Sequence, residues 1–413
     1  MLGTKVKGKP IQQIDKVRNI KISPFIILLI FYCLLDSAHT TVSFDLGFRA
    51  DIIVAFICYF YFNRRKAIKV TSSTFLASAI LIVGALFYQH GGKYYVYIGI
   101  ILQVSLAVVL INLKDQWRME LFDKISIWFS ILLAISLFVW FIHLFYPLPH
   151  TTILLEETAT SVSRPIYNYF FFQEFDPNVG GLGFARFQSF FLEPGHLGTI
   201  VALFLFADQF NFVKKRNLVF LVAVIVSFSA SAYILVGVGY LLNRLSSKNF
   251  FKSVLGILLL GAFIWFFAGF NGGDNVVSNL IFGKLTREEG AIEGRVTLEV
   301  VQVFYNMLSS GEDLLFGKSV FGKDDLAGSG IILFFVQQGI VGIILLFLVY
   351  YSIYKSCKSS YGFLFFLLYI ISFLQRTYPY WDFFIITFIL GLSYVKYEQR
   401  NDISLRRHKK VQQ

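Results

Sequence analysis

The chain has 413 residues, 56% hydrophobic and only 15% charged, with a formal charge of +12. That balance excludes a single soluble globule of this length, whose core would not use so much apolar surface. The basic excess is not that of a nucleic-acid binder, because no basic-aromatic module accompanies it, and no Walker loop or dinucleotide fingerprint points to nucleotide-driven work.

Taken in order, the apolar runs predict membrane-spanning helices near 22–40, 46–62, 71–89, 94–113, 125–146, 194–213, 251–270, 329–354, 361–375 and 381–396. Each of about 17–25 residues suffices for roughly 30 Å of hydrocarbon. The first run is too long, and lacks the small-residue flank, for a cleavable signal peptide. Between the runs, 27 of the 37 Lys and Arg residues fall in clusters that alternate along the chain, which reads as the cytoplasmic side. The clusters start at the N-terminus and recur around Arg64, Lys114, Lys214, Arg244, Lys355 and the C-terminal tail from Lys396. Both ends of 217–242 are basic, so this segment predicts a hairpin of two short helices turning near 227–231. The expectation is one all-α integral membrane domain over 1–413, a polytopic bundle of about twelve segments with both termini cytoplasmic. Cys33, Cys58 and Cys357 lie in spans or on the inner face, so they imply neither a disulfide framework nor a zinc site.

Two outer loops, 147–189 and 271–327, are too long to be mere connections and are expected to contain short helices. The first closes with GGLGFARFQSFFLEPGHLG, residues 180–198. Pro194 fits the first position of a helix, which puts Glu193 just before it and His196 in the first turn. Arg186 supplies a planar fork for phosphate oxygens beside a helix N-terminus that favours anions. Glu193 and His196 form the neighbouring pair that can exchange protons near neutral pH. A snorkelling arginine and a capping glutamate are the structural alternatives. In the second loop, Arg295, Glu299, Gln302 and Asn306 recur on one helical face, with Val296, Val300, Val303 and Met307 as its apolar flank. That predicts a surface helix presenting Arg295, or else an Arg295–Glu299 pair on a solvated face. Asp324 and Asp325 precede the next span, and Asp325 is a candidate base. Arg164, Arg376 and Tyr378 complete the outer polar set; Arg376 in QRTYPYW needs an anion nearby. The run YNYFFFQEF (167–175) reads as an interfacial aromatic belt in preference to a sugar-stacking platform.

The R-x6-EP-x-H-LG string at Arg186–Gly198, the Ser-rich hairpin after it, and the later LLFG and QQGIVG strings resemble the O-antigen polymerase and ligase superfamily, closest to Wzy-type polysaccharide polymerases. The resemblance covers most of 120–400 through short strings. It implies a glycosyltransferase of the bacterial inner membrane. Its substrate would be an undecaprenyl-pyrophosphate-linked oligosaccharide within membrane lipid, and a chain-length regulator is the protein partner such a reaction admits. It carries pyrophosphate binding onto Arg186 and Arg295, and calls for no cofactor and no metal. The His-Asn pair that marks ligases, eleven residues before the GIVG-like turn, is replaced here by Gly328 and Ser329. This favours polymerase over ligase and leaves the base open among Glu193, His196 and Asp325. A lipid-linked oligosaccharide flippase is the alternative of another class.

Overall fold

The apolar runs fold as helices, and proline respects them: Pro24 and Pro194 each open a helix, and none stands inside one among the described residues. The computed structural model describes residues 20–37, 50–88, 94–157, 160–167, 172–173, 186–191, 193–245, 254–256, 266, 298–318, 330–374 and 378–411. Its first helices are α1 (Pro24–Ser37), α2 (Ala50–Arg64), α3 (Ser72–Tyr88), α4 (Tyr94–Ile111) and α5 (Asp115–His143). Strands β1 (Thr151–Glu157), β2 (Thr160–Tyr167) and β3 (Phe172–Gln173) follow. Then come α6 (Pro194–Ala207), α7 (Lys215–Ser227), α8 (Ala230–Arg244) and α9 (Leu298–Ser310). The last three are α10 (Ile331–Ser356), α11 (Ser360–Phe373) and α12 (Asp382–Val411). By length and composition α5 and α10 can cross a membrane; α1, α3, α6, α11 and most of α4 are apolar but shorter. The expected span 251–270 lies almost wholly outside the described residues.

Two helices form the axis. Every residue of α6 is buried, and so is α12 from Asp382 to Val395. Aromatic rings pack them against α5: Phe122 stacks on Phe204 at 5.0 Å and meets Tyr394 at 4.8 Å, while Phe129 meets Phe383 at 5.4 Å. Around this axis the bundle has two unlike ends. At the first, the Lys114 amide donates to the Ala67 carbonyl (3.0 Å) and Lys396 pairs with Asp115 (2.7 Å). There too Arg216, at the start of α7, reaches Asp208, and Asn243, at the end of α8, donates to the Gln209 carbonyl (3.0 Å). Both ends of the α7–α8 segment therefore lie at this basic end. Its turn is made by Phe228 in the left-handed region (φ 45°) and Ser229.

At the opposite end, the mouth, α6 begins two turns or so below the end of α5. Phe204 lies level with Phe122 and Phe129, ten residues beyond Pro194, whereas α5 continues to His143. At about 1.5 Å per residue the head of α6 is recessed by about 12 Å.

Three expectations need correction. The first outer loop was expected to hold short helices, but 151–173 carries a three-stranded antiparallel sheet in the order β1-β2-β3. TTILLEE and TSVSRPIY are rich in β-branched residues, and full register from Thr151↔Ile166 to Glu157↔Thr160 satisfies the backbone without a helix. The fold is thus an all-helical body with one small sheet, not all-α throughout. Phe172 and Gln173, inside the expected aromatic belt, are strand residues paired with Tyr167 and Ile166. Second, α5 starts at Asp115, ten residues before the predicted span. Its charged first turns are held locally, by Asp115–Arg118 and by Glu120–Lys124 at 3.4 Å. Third, α10 is broken. Gly339 adopts φ 62°, ψ −167°, and residues 314–318 fill the break. Ile340 and Val341 donate to the carbonyls of Leu314 and Leu315 (both 3.0 Å), and Lys318 donates to that of Val336 (2.7 Å). The crossing is so close that a Cβ on Gly339 would stand 2.5 Å from the Gly317 nitrogen. The LLFG and QQGIVG strings are the two sides of this contact.

Candidate functional site at the head of α6

The mouth is assembled from the segment before α6, the first turn of α6, and the turn before α12. Phe187, Phe190 and Phe191 drive 186–191 into the bundle. The Phe187 amide donates to the Val226 carbonyl (3.2 Å), its ring meets Trp140, and Phe191 packs on Phe383 at 5.3 Å. Arg186 is left partly exposed at the start of this segment. Glu193 is the extended N-cap of α6 (φ −142°, ψ 147°), with Pro194 after it. Its carbonyl accepts from His196 (3.1 Å), but its side chain does not cap the helix. The carboxylate is therefore committed elsewhere than to the free N–H groups of α6.

His196 is buried, and its ring sits edge-on to Tyr378 (5.1 Å) and Trp381 (5.4 Å). These two rings stack on each other at 3.9 Å and 17°. The turn carrying them is itself pinned from inside: Gln103 donates to the Tyr380 carbonyl (2.9 Å) and Tyr350 to that of Pro379 (2.6 Å). A histidine so placed is shielded on two sides by aromatic rings.

Arg186, Glu193, His196 and Tyr378 thus share one end of the bundle. Arg164 lies in β2 opposite Ile153. Arg295, Asp325 and Arg376 lie outside the described residues. The helix expected from Arg295 is described from Leu298: Glu299, Gln302 and Asn306 are exposed, while Val300 and Met307 are buried against Val336 on α10. Among the described residues no three His, Cys, Asp or Glu side chains converge as a metal site.

Sequence reasoning missed two buried acids at this end, Asp382 and Asp51, in the first turns of α12 and α2. The signal was there: each opens an apolar helix, where a carboxylate meets the positive end of the helix dipole. The Cys33 thiol hydrogen-bonds to Asp51.

It also missed the network at the basic end. Asp208 accepts from Lys214 Nζ (2.7 Å), Arg216 Nε and Nη2 (2.7 and 2.8 Å) and Tyr394 Oη (2.8 Å). Arg216 also reaches Asp123 at 2.7 Å. Burial alone would push the Asp208 carboxyl up; Arg216 and Lys214 outweigh it and hold it below its ordinary 3.8.

Compared with known proteins, the chain matches no family model, no curated protein and no solved structure.

Proposed function

We propose that the chain polymerises lipid-linked polysaccharide repeat units on the outer face of the bacterial cytoplasmic membrane. In this reading about twelve segments cross or enter the bilayer, and the basic end with both termini faces the cytoplasm. One observation carries it: Arg186, Glu193 and His196 gather at a recessed helix head, opposite the end that collects the basic clusters. The short strings that resemble those of Wzy-type polymerases add the substrate class, an undecaprenyl-pyrophosphate-linked oligosaccharide.

The chemistry uses only groups of these kinds. An acceptor hydroxyl oxygen attacks the anomeric carbon of the donor glycan. The bond from that carbon to the pyrophosphate oxygen breaks, and the lipid pyrophosphate leaves with the bonding pair. Arg186, with Arg295 from the second loop, neutralises the developing charge. Glu193 or His196 takes the hydroxyl proton. The activated lipid makes a nucleotide unnecessary.

The broken α10 is the observation that would favour a flippase, since transporters place broken helices at their substrate sites. Here the freed backbone groups are taken up by 314–318, which speaks for a fixed loop. Deletion of the chain decides between the readings on a glycan ladder gel. A polymerase leaves single capped repeats and no ladder. A ligase or flippase loses attached glycan altogether, and that result would sink the proposal. Glu193→Gln should then reproduce the deletion phenotype at normal protein level.

A further inference from the structure

The corner where α5 begins, between the end of α10 and residues 393–396 of α12, has an unbalanced charge. Asp115 is its hub. Arg118 Nη2 donates to Oδ1 and Lys396 Nζ donates to Oδ2 (2.7 Å). Ser393 Oγ and Cys357 Sγ stand 3.4 and 3.8 Å from Oδ1. One carboxylate thus answers two cations. The neighbouring network sets Asp208 and Asp123 against Lys214 and Arg216 among the described side chains.

Arg118 bears the imbalance. It is 3% exposed, and its Nε and Nη1 have no hydrogen-bond partner. A guanidinium keeps its charge at every physiological pH and offers five donors in a fixed fork. A buried charge with donors unused is costly, and the cost falls when an anion completes the fork. The corner opens to the surface through Asp115 and Lys396, whose side chains are 44% and 21% exposed.

We propose that this corner is an anion site, and that its ligand is a phosphate group. Phosphate oxygens accept from the unused Arg118 nitrogens, and Lys396 adds a second donor. The site lies at the opposite end from the mouth, so it stands whether or not the chain is a polymerase. The phosphate can come from an anionic phospholipid headgroup or from a soluble phosphate.

The full chain, delipidated in dodecyl maltoside, which carries no phosphate, is melted alone and with each of four additions. These are phosphatidylglycerol, phosphatidylcholine, sodium phosphate, and sodium chloride at matched ionic strength. The expected result is a midpoint rise of at least about 2 °C, since a ligand bound only by the folded state stabilises by mass action. A rise with phosphatidylglycerol alone assigns the lipid source; a rise also with sodium phosphate assigns the free anion. The rise should vanish in Arg118→Gln. Because that variant can fail to fold, Asp115→Asn gives an independent reading: two cations lose their carboxylate, so it should melt lower than wild type alone but gain more from the phosphate ligand. No rise with any phosphate source, an equal rise with chloride, or an Asp115→Asn deficit that no phosphate narrows overturns the site.

Discussion

At the basic end, Asp208 is fully buried and takes four hydrogen bonds from three side chains; at the mouth, His196 is buried against the edges of two aromatic rings. The first arrangement joins α6, α7, α5 and α12 through charge, and each partner is needed by the others. The second leaves an ionisable ring in a largely apolar setting, with a carboxylate and an arginine on the segment leading to it. A network of the first kind holds helices together and resists change. In the proposed function a site of the second kind supplies the reacting groups. The contrast predicts that variants at the basic end lose protein, whereas variants at the mouth lose activity.

The largest expected effect on stability is Arg216→Met. It strands Asp208 in the bundle with Lys214 and Tyr394 only, and breaking a buried pair from one side costs about 3–5 kcal/mol. Denaturation of the detergent-solubilised chain measures it. A cost below about 1 kcal/mol would erase the contrast between the two ends.

Gly339→Ala comes next. Its backbone, at positive φ with extended ψ, is essentially glycine-only and alone costs an L-residue about 1–3 kcal/mol, and the new Cβ would meet the Gly317 nitrogen and the Leu315 carbonyl oxygen at 2.5 Å. Gly311→Ala is the comparison, because Gly311 has φ 74° but nothing within 4 Å of a Cβ. The difference between the two alanines measures the crossing together with the special backbone of Gly339, and equal costs would show that the crossing is loose.

At the mouth, Glu193→Gln costs α6 no cap, since the side chain makes none, and it preserves the size of the side chain. It should still slow polymerisation by about 10²–10⁴, the usual contribution of a general base. In vitro polymer length against melting midpoint separates the two quantities.

Acid sharpens the same comparison. Folding lowers the Asp208 pKa, so its ion pairs contribute fully above its ordinary 3.8 and are lost only as pH falls through the lower folded value. Melting midpoints of wild type and Asp208→Asn should therefore differ most above that pH and converge below it. The smallest effect belongs to Lys124→Ala. Its partly exposed pair with Glu120, at 3.4 Å, is worth about 0.3–0.5 kcal/mol.

The helical body was legible because its signal is local. A run such as 331–356 is apolar at nearly every position, and a helix satisfies most of its backbone internally, whereas the break at Gly339 leaves no such local signal. Within the first outer loop the signal was weaker. Thr, Ile, Val and Glu alternate there without a long apolar face, and the hairpin is visible only when both strands are read together. The start of α5 was missed for a related reason: Asp115, Arg118, Glu120 and Lys124 look like loop charges until their spacing is seen to pair them. Glu193 and His196 could be picked out because Pro194 marks the helix start. The Asp208 network could not, because Asp208 and Tyr394 are separated by 186 positions and positive charge was already explained by topology.

The threading of residues 314–318 through the break in α10 also constrains how the chain is made. The ribosome delivers 314–318 before α10, so the plug exists before the helix that it completes. Should α10 be buried in an apolar setting first, the amides of Ile340 and Val341 would be left unsatisfied, and a buried polar group without a partner is costly. Docking of 314–318 and completion of α10 must therefore be nearly simultaneous.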